Sequence, residues 1–135
     1  YISPIAGKIP SPRLPVYSAT KYGLRGFSAS LRQDLHGSGV SASVIFPGSV
    51  VDSGMLADAG LGAAPGSKGT SSDAVGHGVV TAIERDRAEV DVAELPIRFA
   101  SRLGGLAPGL MARLTQRKQS IAYADQLSLG LRHHR

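Results

Sequence analysis

This sequence predicts an α/β fold with parallel strands, on three observations. Short apolar runs at about residues 1–5, 40–46 and 88–92 read as strands. A helical stretch with apolar residues at three- and four-residue spacing separates the first two, and a second, opened by Ser72-Asp73, precedes the third. Strands alternating with helices at this spacing build a sheet of parallel neighbours, with the helices carrying the chain back.

The first run, Tyr1–Ile5, passes through an Ala-Gly turn into a Pro-rich loop, KIPSPRLP. Proline lacks an N–H, so the loop ends in a helix start and not a strand. The helix then runs from Tyr17 to Leu35, with Leu24, Phe27, Leu31 and Leu35 on a stripe expected to pack on the sheet. Ala19, Gly23, Gly26 and Ser30 form a second stripe of small residues that lets another helix approach closely, or accommodates neighbouring side chains. Gly37 and Gly39 stop the helix, since glycine takes the left-handed conformation of a helix end. VSASVIF is the second strand, followed by Pro47-Gly48 and a Gly-, Ala- and Ser-rich loop from Ser49 to Thr70. Ser72-Asp73 caps a helix carrying Val75, Val79, Val80 and Ile83, and His77 within it reads as an ordinary surface or core residue.

Composition narrows the functional classes. The 135 residues contain no cysteine, so disulfides and thiolate nucleophiles are excluded. No apolar run reaches transmembrane length. The net charge of +5 is unevenly spread: residues 1–95 hold eight basic and nine acidic side chains, residues 96–135 seven basic and one acidic. In that tail Phe99, Leu103, Leu106, Leu110 and Leu114 keep helical spacing, with Arg98, Arg102, Arg113 and Arg117 alongside and an interruption near Pro108. It reads as a basic amphipathic helical extension. It either packs on the preceding loop or a neighbouring subunit, or makes peripheral membrane contact through 96–118. No motif or aromatic platform supports nucleic-acid binding. His133-His134 lacks the further ligands a metal site needs, so no metal is expected.

The chemistry concentrates at Tyr17 and Lys21. A four-residue step on a helix sets both side chains on one face, where a nearby ammonium is expected to lower a phenol's pKa by roughly one to three units. A phenol so tuned can transfer a proton near neutral pH.

The order of strand, Ala-Gly turn, Tyr17-x-x-x-Lys21 helix, strand and Pro47-Gly48 resembles the short-chain dehydrogenase/reductase family, from Tyr1 to about Val92 and more loosely beyond. The resemblance implies the C-terminal half of a Rossmann-type doubly wound parallel sheet over residues 1–95, with the helical extension at 96–135. It implies NAD- or NADP-dependent interconversion of a carbonyl and a secondary alcohol, with Tyr17 moving the proton. Lys21 would tune that phenol and hold the nicotinamide ribose, and Pro47, Gly48, Ser49, Val50 and Asp52 would line the cofactor. Met55, Leu56 and Leu61 would meet a small apolar carbonyl or alcohol substrate. The helix 17–35 would pair subunits in a homo-oligomer, and the expected location is cytoplasmic or membrane-associated.

Three departures from the family pattern bear on activity. The family's catalytic serine, thirteen residues before the tyrosine, falls here on Pro4, which leaves neighbouring Ser3 as the candidate to polarise the carbonyl. Asp52 stands where the family often has threonine. No Gly-rich dinucleotide turn follows a first strand, so this stretch reads as a fragment of a longer reading frame, inactive alone. The alternatives are a non-catalytic remnant that associates with related subunits, and a membrane-surface module built on the tail.

Overall fold

In the computed structural model, residues 1–106, 109 and 118–132 are described. The chain passes from a 3-10 turn at Ile5–Gly7 into α1 (Pro15–Asp34), β1 (Val44–Pro47), α2 (Gly54–Asp58), α3 (Ser72–Glu84), β2 (Glu89–Val92), α4 (Leu95–Leu106) and α5 (Lys118–Arg132). β1 and β2 pair in parallel, Val44 against Glu89 through Pro47 against Val92. On the other side of β1, Ile2 bridges Ile45 in parallel, and Ser3 N–H donates to the Ile45 carbonyl at 2.9 Å. β1 therefore has a neighbour on each side, and its entire length is buried. The sheet is that of a partial Rossmann-like fold.

Alternation along β2 decides what each face of the sheet must meet. Successive strand residues point to opposite faces, so Glu89 and Asp91 share a face with Val44 and Phe46, while Val90 and Val92 share the other with Ile45. α3 covers the apolar face. Its Gly78 sits against Val92, Ile45 and Val90 so closely that a Cβ there would overlap the Val92 side chain. The acidic face is covered from the α1 side by cations. Lys8, whose side chain is 4% exposed, lies 2.5 Å from Asp91, itself 5% exposed, and 2.8 Å from Glu89, with its ammonium 4.1 Å from the Phe46 ring centre. Arg25 of α1 grips Glu89 with Nε and Nη2 at 2.6 and 3.2 Å. Burial pushes the Glu89 carboxyl up, but the hydrogen bonds from Arg25 and Lys8 outweigh it and hold the group below its ordinary range.

Several expected packing residues face elsewhere. The first run is shorter than expected, pairing only at Ile2 before the 3-10 turn, and the second begins at Val44 instead of residue 40. Phe27 is 54% exposed and meets the Tyr1 ring edge-on, while Leu24, Leu31 and Leu35 are half-buried and Ser18 and Ser28 are the buried residues of α1. The Lys8 and Arg25 ion pairs and the Phe46 ring occupy the space beneath α1, and the small Ser18 and Ser28 are the α1 residues buried there. Val80 and Ile83 likewise point outward, at 49% and 73% exposed, because α3 presents Gly78 and Ala82 to the sheet. Its cap is Ser71, whose Oγ accepts from Ala74 N–H at 3.2 Å, one residue before the expected Ser72. In the tail, Leu95, Phe99 and Leu103 turn outward along α4, and Arg102 reaches Asp91 at 3.8 Å. Leu110, Leu114, Arg113 and Arg117 lie outside the described residues, as do Pro108, His133 and His134. No described helix is long and apolar enough to cross a membrane.

The two glycines of α3 should respond oppositely to the same change. Gly78→Ala should destabilise the protein by about 1–3 kcal/mol through overpacking against Val92. Gly76→Ala, with nothing within 4 Å of its added Cβ, should stabilise by about 0.5–1 kcal/mol. Urea denaturation of both variants checks the pair of signs.

Candidate active site

Proline suits the first turn of α1, where its missing N–H would have no partner in any case. The turn is held to the preceding loop by Ser18, whose Oγ accepts from Ser11 N–H at 3.1 Å. Arg13, with φ 64°, makes the left-handed corner that sends the chain into the helix. These constraints fix Tyr17 half-buried at the start of α1, with Lys21 one turn later on the same side. The Lys21 ammonium lies 5.4 Å from the Tyr17 ring centre, over the ring.

The phenol does not respond as the sequence predicts. Burial raises the Tyr17 pKa above 10.0, and no lowering by Lys21 accompanies it. The reason is placement: desolvation disfavours the phenolate, and the ammonium sits over the ring, where it meets the π-face.

The opposite wall is the chain leaving the carboxyl end of β1. Gly48 N–H donates to the Val92 carbonyl at 2.9 Å, and a Cβ on Gly48 would come within 3.2 Å of Thr70 Oγ1 and 3.3 Å of Ala93 Cβ. Only a small residue allows the turn to pass so close to the next strand. Val50 then bridges Thr70, Thr70 N–H donates to the Ser49 carbonyl at 2.7 Å, and Ser49 Oγ accepts from Ala64 N–H at 3.2 Å.

Between these walls lies a cavity of about 680 Å³. Tyr17, Lys21, Pro47, Gly48, Ser49, Val50, Met55 and Leu56 line it, so residues far apart in the chain converge there. Ser3, Asp52 and Leu61 are not among its lining residues. Ser3 is fully buried, and its hydroxyl donates to the Lys21 carbonyl at 3.3 Å, beneath α1. Its neighbour Pro4 faces the cavity instead, as strand alternation requires, and brings no hydroxyl. The Asp52 carboxylate accepts from Ser72 N–H at 2.9 and 3.0 Å and from Ser72 Oγ at 3.1 Å. Those bonds hold its pKa below the ordinary carboxylate value, led by the backbone N–H. It serves the start of α3. Leu61 closes the turn after α2 through its N–H to the Leu56 carbonyl at 2.8 Å.

Two contributions escaped sequence reasoning. Lys8 had no periodic or motif signal, because its partners lie on β2, more than eighty residues away. The other is α5, from which Ser120, Tyr123, Ala124 and Leu127 line the cavity. The three- and four-residue steps from Tyr123 and Ala124 to Leu127 were the available signal.

A crevice at the carboxyl ends of parallel strands, walled by a helix start and a Gly-containing turn, defines the Rossmann-type α/β class. Comparison with known proteins narrows the class. The sequence profile described as short chain dehydrogenase matches residues 1–62. The ketoacyl reductase HetN of Nostoc sp. is 40% identical over 97 residues, which cover 71% of this chain and 33% of that protein. A dehydrogenase/reductase SDR family protein 7-like of Anopheles gambiae is 31% identical over 116 residues, covering 81% of this chain and 37% of that protein. A Drosophila melanogaster protein of the same description is 27% identical over 117 residues, or 82% of this chain and 36% of its own. A solved chain described as a short-chain dehydrogenase from Novosphingobium aromaticivorans superposes with a TM-score of 0.59 at 21% identity, over 99% of this chain and 47% of its own. This chain belongs to the short-chain dehydrogenase/reductase family, a family of oxidoreductases. It spans about a third of the length of the curated relatives it matches.

The raised Tyr17 pKa has a direct test. A group whose folded pKa exceeds its unfolded value of 10.0 contributes stability below that value and loses it as pH rises through the folded pKa. Ultraviolet phenolate titration of the wild type and Tyr17→Phe should show the variant lacking one phenol from those that ionise above 10.0. Loss of a phenol that ionises below that value would show Lys21 to dominate instead.

Proposed function

We propose that this chain carries the proton-transferring part of an NAD(P)-dependent oxidoreductase site, interconverting a small apolar carbonyl compound and its secondary alcohol. The observation that carries this reading is the convergence of Tyr17, Lys21 and the Pro47–Val50 turn on one cavity. The residues present suit the nicotinamide end of a dinucleotide: a cation on one wall, and a close-packed Gly-containing turn on the other. Lys21 would hold the ribose, and Pro47–Val50 the carboxamide side. The bound cofactor supplies the hydride. A Gly-rich turn for the pyrophosphate does not occur in these 135 residues, so it would come from chain beyond them.

Tyr17 does the proton work. With its pKa raised, the phenol is protonated at neutral pH and can donate to a carbonyl oxygen during reduction. Alcohol oxidation needs the phenolate, so its rate should climb with pH. Proximity to the Tyr17 hydroxyl orients the oxygen, but the hydroxyl that the family pattern puts at position 4 is missing. Pro4 thereby supports the competing reading, a non-catalytic relative.

Kinetics on a version extended upstream through the nearest Gly-rich turn separate these readings. Tyr17→Phe should lower carbonyl reduction by about 10²–10⁴-fold with cofactor still bound. Pro4→Ser should raise it by about 10²–10³-fold by restoring a hydrogen-bond donor to the carbonyl oxygen. Cofactor binding without turnover in the wild type, and none gained by Pro4→Ser, would favour the non-catalytic reading.

The outward face of α1 favours pairing with a second copy. Val16, Tyr22 and Phe27 are exposed there, and Gly23 and Gly26 have nothing within 4 Å of an added Cβ. Such a face lets a second helix approach closely and bury the exposed rings. Sedimentation equilibrium should give a dimer or higher oligomer for the wild type and a monomer for Gly26→Arg; a wild-type monomer at all concentrations would count against it.

A further inference from the structure

α4 carries an apolar ridge turned to the outside of the molecule. Leu95 is 76% exposed, Phe99 69% and Leu103 42%, and steps of four residues place the three in one row along the helix. The inward side of α4 is already engaged. Ser101 is buried, with its Oγ donating to the Arg98 carbonyl at 2.8 Å, and the first turn closes through Arg98 N–H to the Glu94 carbonyl at 3.0 Å.

The charge beside the ridge has one sign. Arg98 and Arg102 sit one and three positions from Phe99 along the helix, and the Arg102 side chain is exposed, reaching Asp91 only at 3.8 Å. Residues 96–135 hold seven basic side chains against one acidic. The acids that precede the helix are withdrawn from the surface or occupied: Asp91 is buried against Lys8, and Glu94 accepts from Lys68 N–H at 2.5 Å and from Ser67 Oγ at 3.4 Å on the loop. A second copy of this chain seated on the ridge would set the same arginines and the same basic tail against themselves, which is repulsive. A lipid surface with anionic headgroups satisfies both features at once, because arginines meet the phosphates while leucine and phenylalanine enter the acyl boundary. At about 1.5 Å per residue the 12 residues of α4 run roughly 18 Å, too short to span a bilayer, so the helix would lie in the plane of the surface.

We infer that α4 docks this chain on an anionic membrane surface, with Leu95, Phe99 and Leu103 inserted and Arg98 and Arg102 on the headgroups. The chain contains no tryptophan, so Phe99→Trp places a single indole emitter on the ridge. In the full 135-residue chain carrying that change, emission should shift to shorter wavelength on phosphatidylcholine vesicles containing phosphatidylglycerol. Lipids brominated high on the acyl chain should quench it. Binding should weaken on phosphatidylcholine alone and at high salt. Without the probe, co-sedimentation with the anionic vesicles should show an affinity at least about tenfold lower for Phe99→Ser, and about fivefold lower for each of Arg98→Gln and Arg102→Gln. Thermal melting establishes that each variant is folded; Phe99 is exposed, so Phe99→Ser should melt with the wild type, and it carries the test if an arginine variant does not fold. No binding to anionic vesicles overturns the inference, as does equal binding to neutral and anionic ones. Vesicle binding that leaves the Phe99→Trp emission unmoved overturns it too, since another face would then be the one inserted. A lipid-free dimer that Phe99→Ser converts to a monomer would assign the ridge to a second copy instead.

Discussion

The Lys8 ammonium between Asp91 and Glu89 is the interaction on which the rest of the structure depends. β2 alternates acids with valines, so one face of a two-stranded core carries two carboxylates into the interior. Buried charge is tolerable only when paired. Lys8 meets both acids, rests on the Phe46 ring, and comes from the turn that follows the first strand-like segment. Its position requires that turn to pack tightly: a Cβ on Gly7 would fall 2.6 Å from Ser3 Oγ and 3.0 Å from the Lys21 carbonyl. The same contact seats α1. Arg25 completes the clamp on Glu89 from the helix itself, so the orientation of α1, and with it Tyr17 and Lys21, follows from neutralising β2.

The cavity exists because three segments end at the same place. Parallel strands bring their carboxyl ends together on one edge, and the chain leaves that edge through Pro47-Gly48. The first turns of α1 and one face of α5 also line it. Hydroxyls do most of the joining: Ser18 to the Pro-rich loop, Ser49 to Ala64, Tyr123 to Gly62. These bonds are local to the rims and leave the interior apolar. Among the described residues the site therefore combines the Tyr17 and Tyr123 phenols and the Lys21 ammonium with a largely hydrocarbon surface.

Strand alternation also explains the most consequential departure from the family pattern. Ser3 and Pro4 are adjacent, and adjacent residues face opposite ways. The serine went under α1, where it bonds the Lys21 carbonyl, and the proline went to the cavity. A hydroxyl one residue away in sequence is on the wrong side of the sheet.

Taken alone, the sequence determined the α/β class, the three extended segments, the helix bearing Tyr17 and Lys21, and the Pro47-Gly48 exit. Each is written in local patterns: apolar runs, a four-residue step, proline before a helix and glycine after one. Met55 and Leu56 were legible as cavity residues for the same reason, lying just past that exit. Tertiary structure alone decided the rest. Asp52, read as a cofactor contact by position, accepts charge-assisted hydrogen bonds from Ser72 at the start of α3, a pairing no local pattern records. Phe27 looked like core by periodicity, but it lies 54% exposed and meets the Tyr1 ring edge-on. Lys21 looked like the group that tunes Tyr17, but burial of the phenol raises its pKa instead. Lys8 and α5 were invisible because charge pairing and cavity closure join residues far apart in the chain, and no local period records which distant partner a side chain will meet.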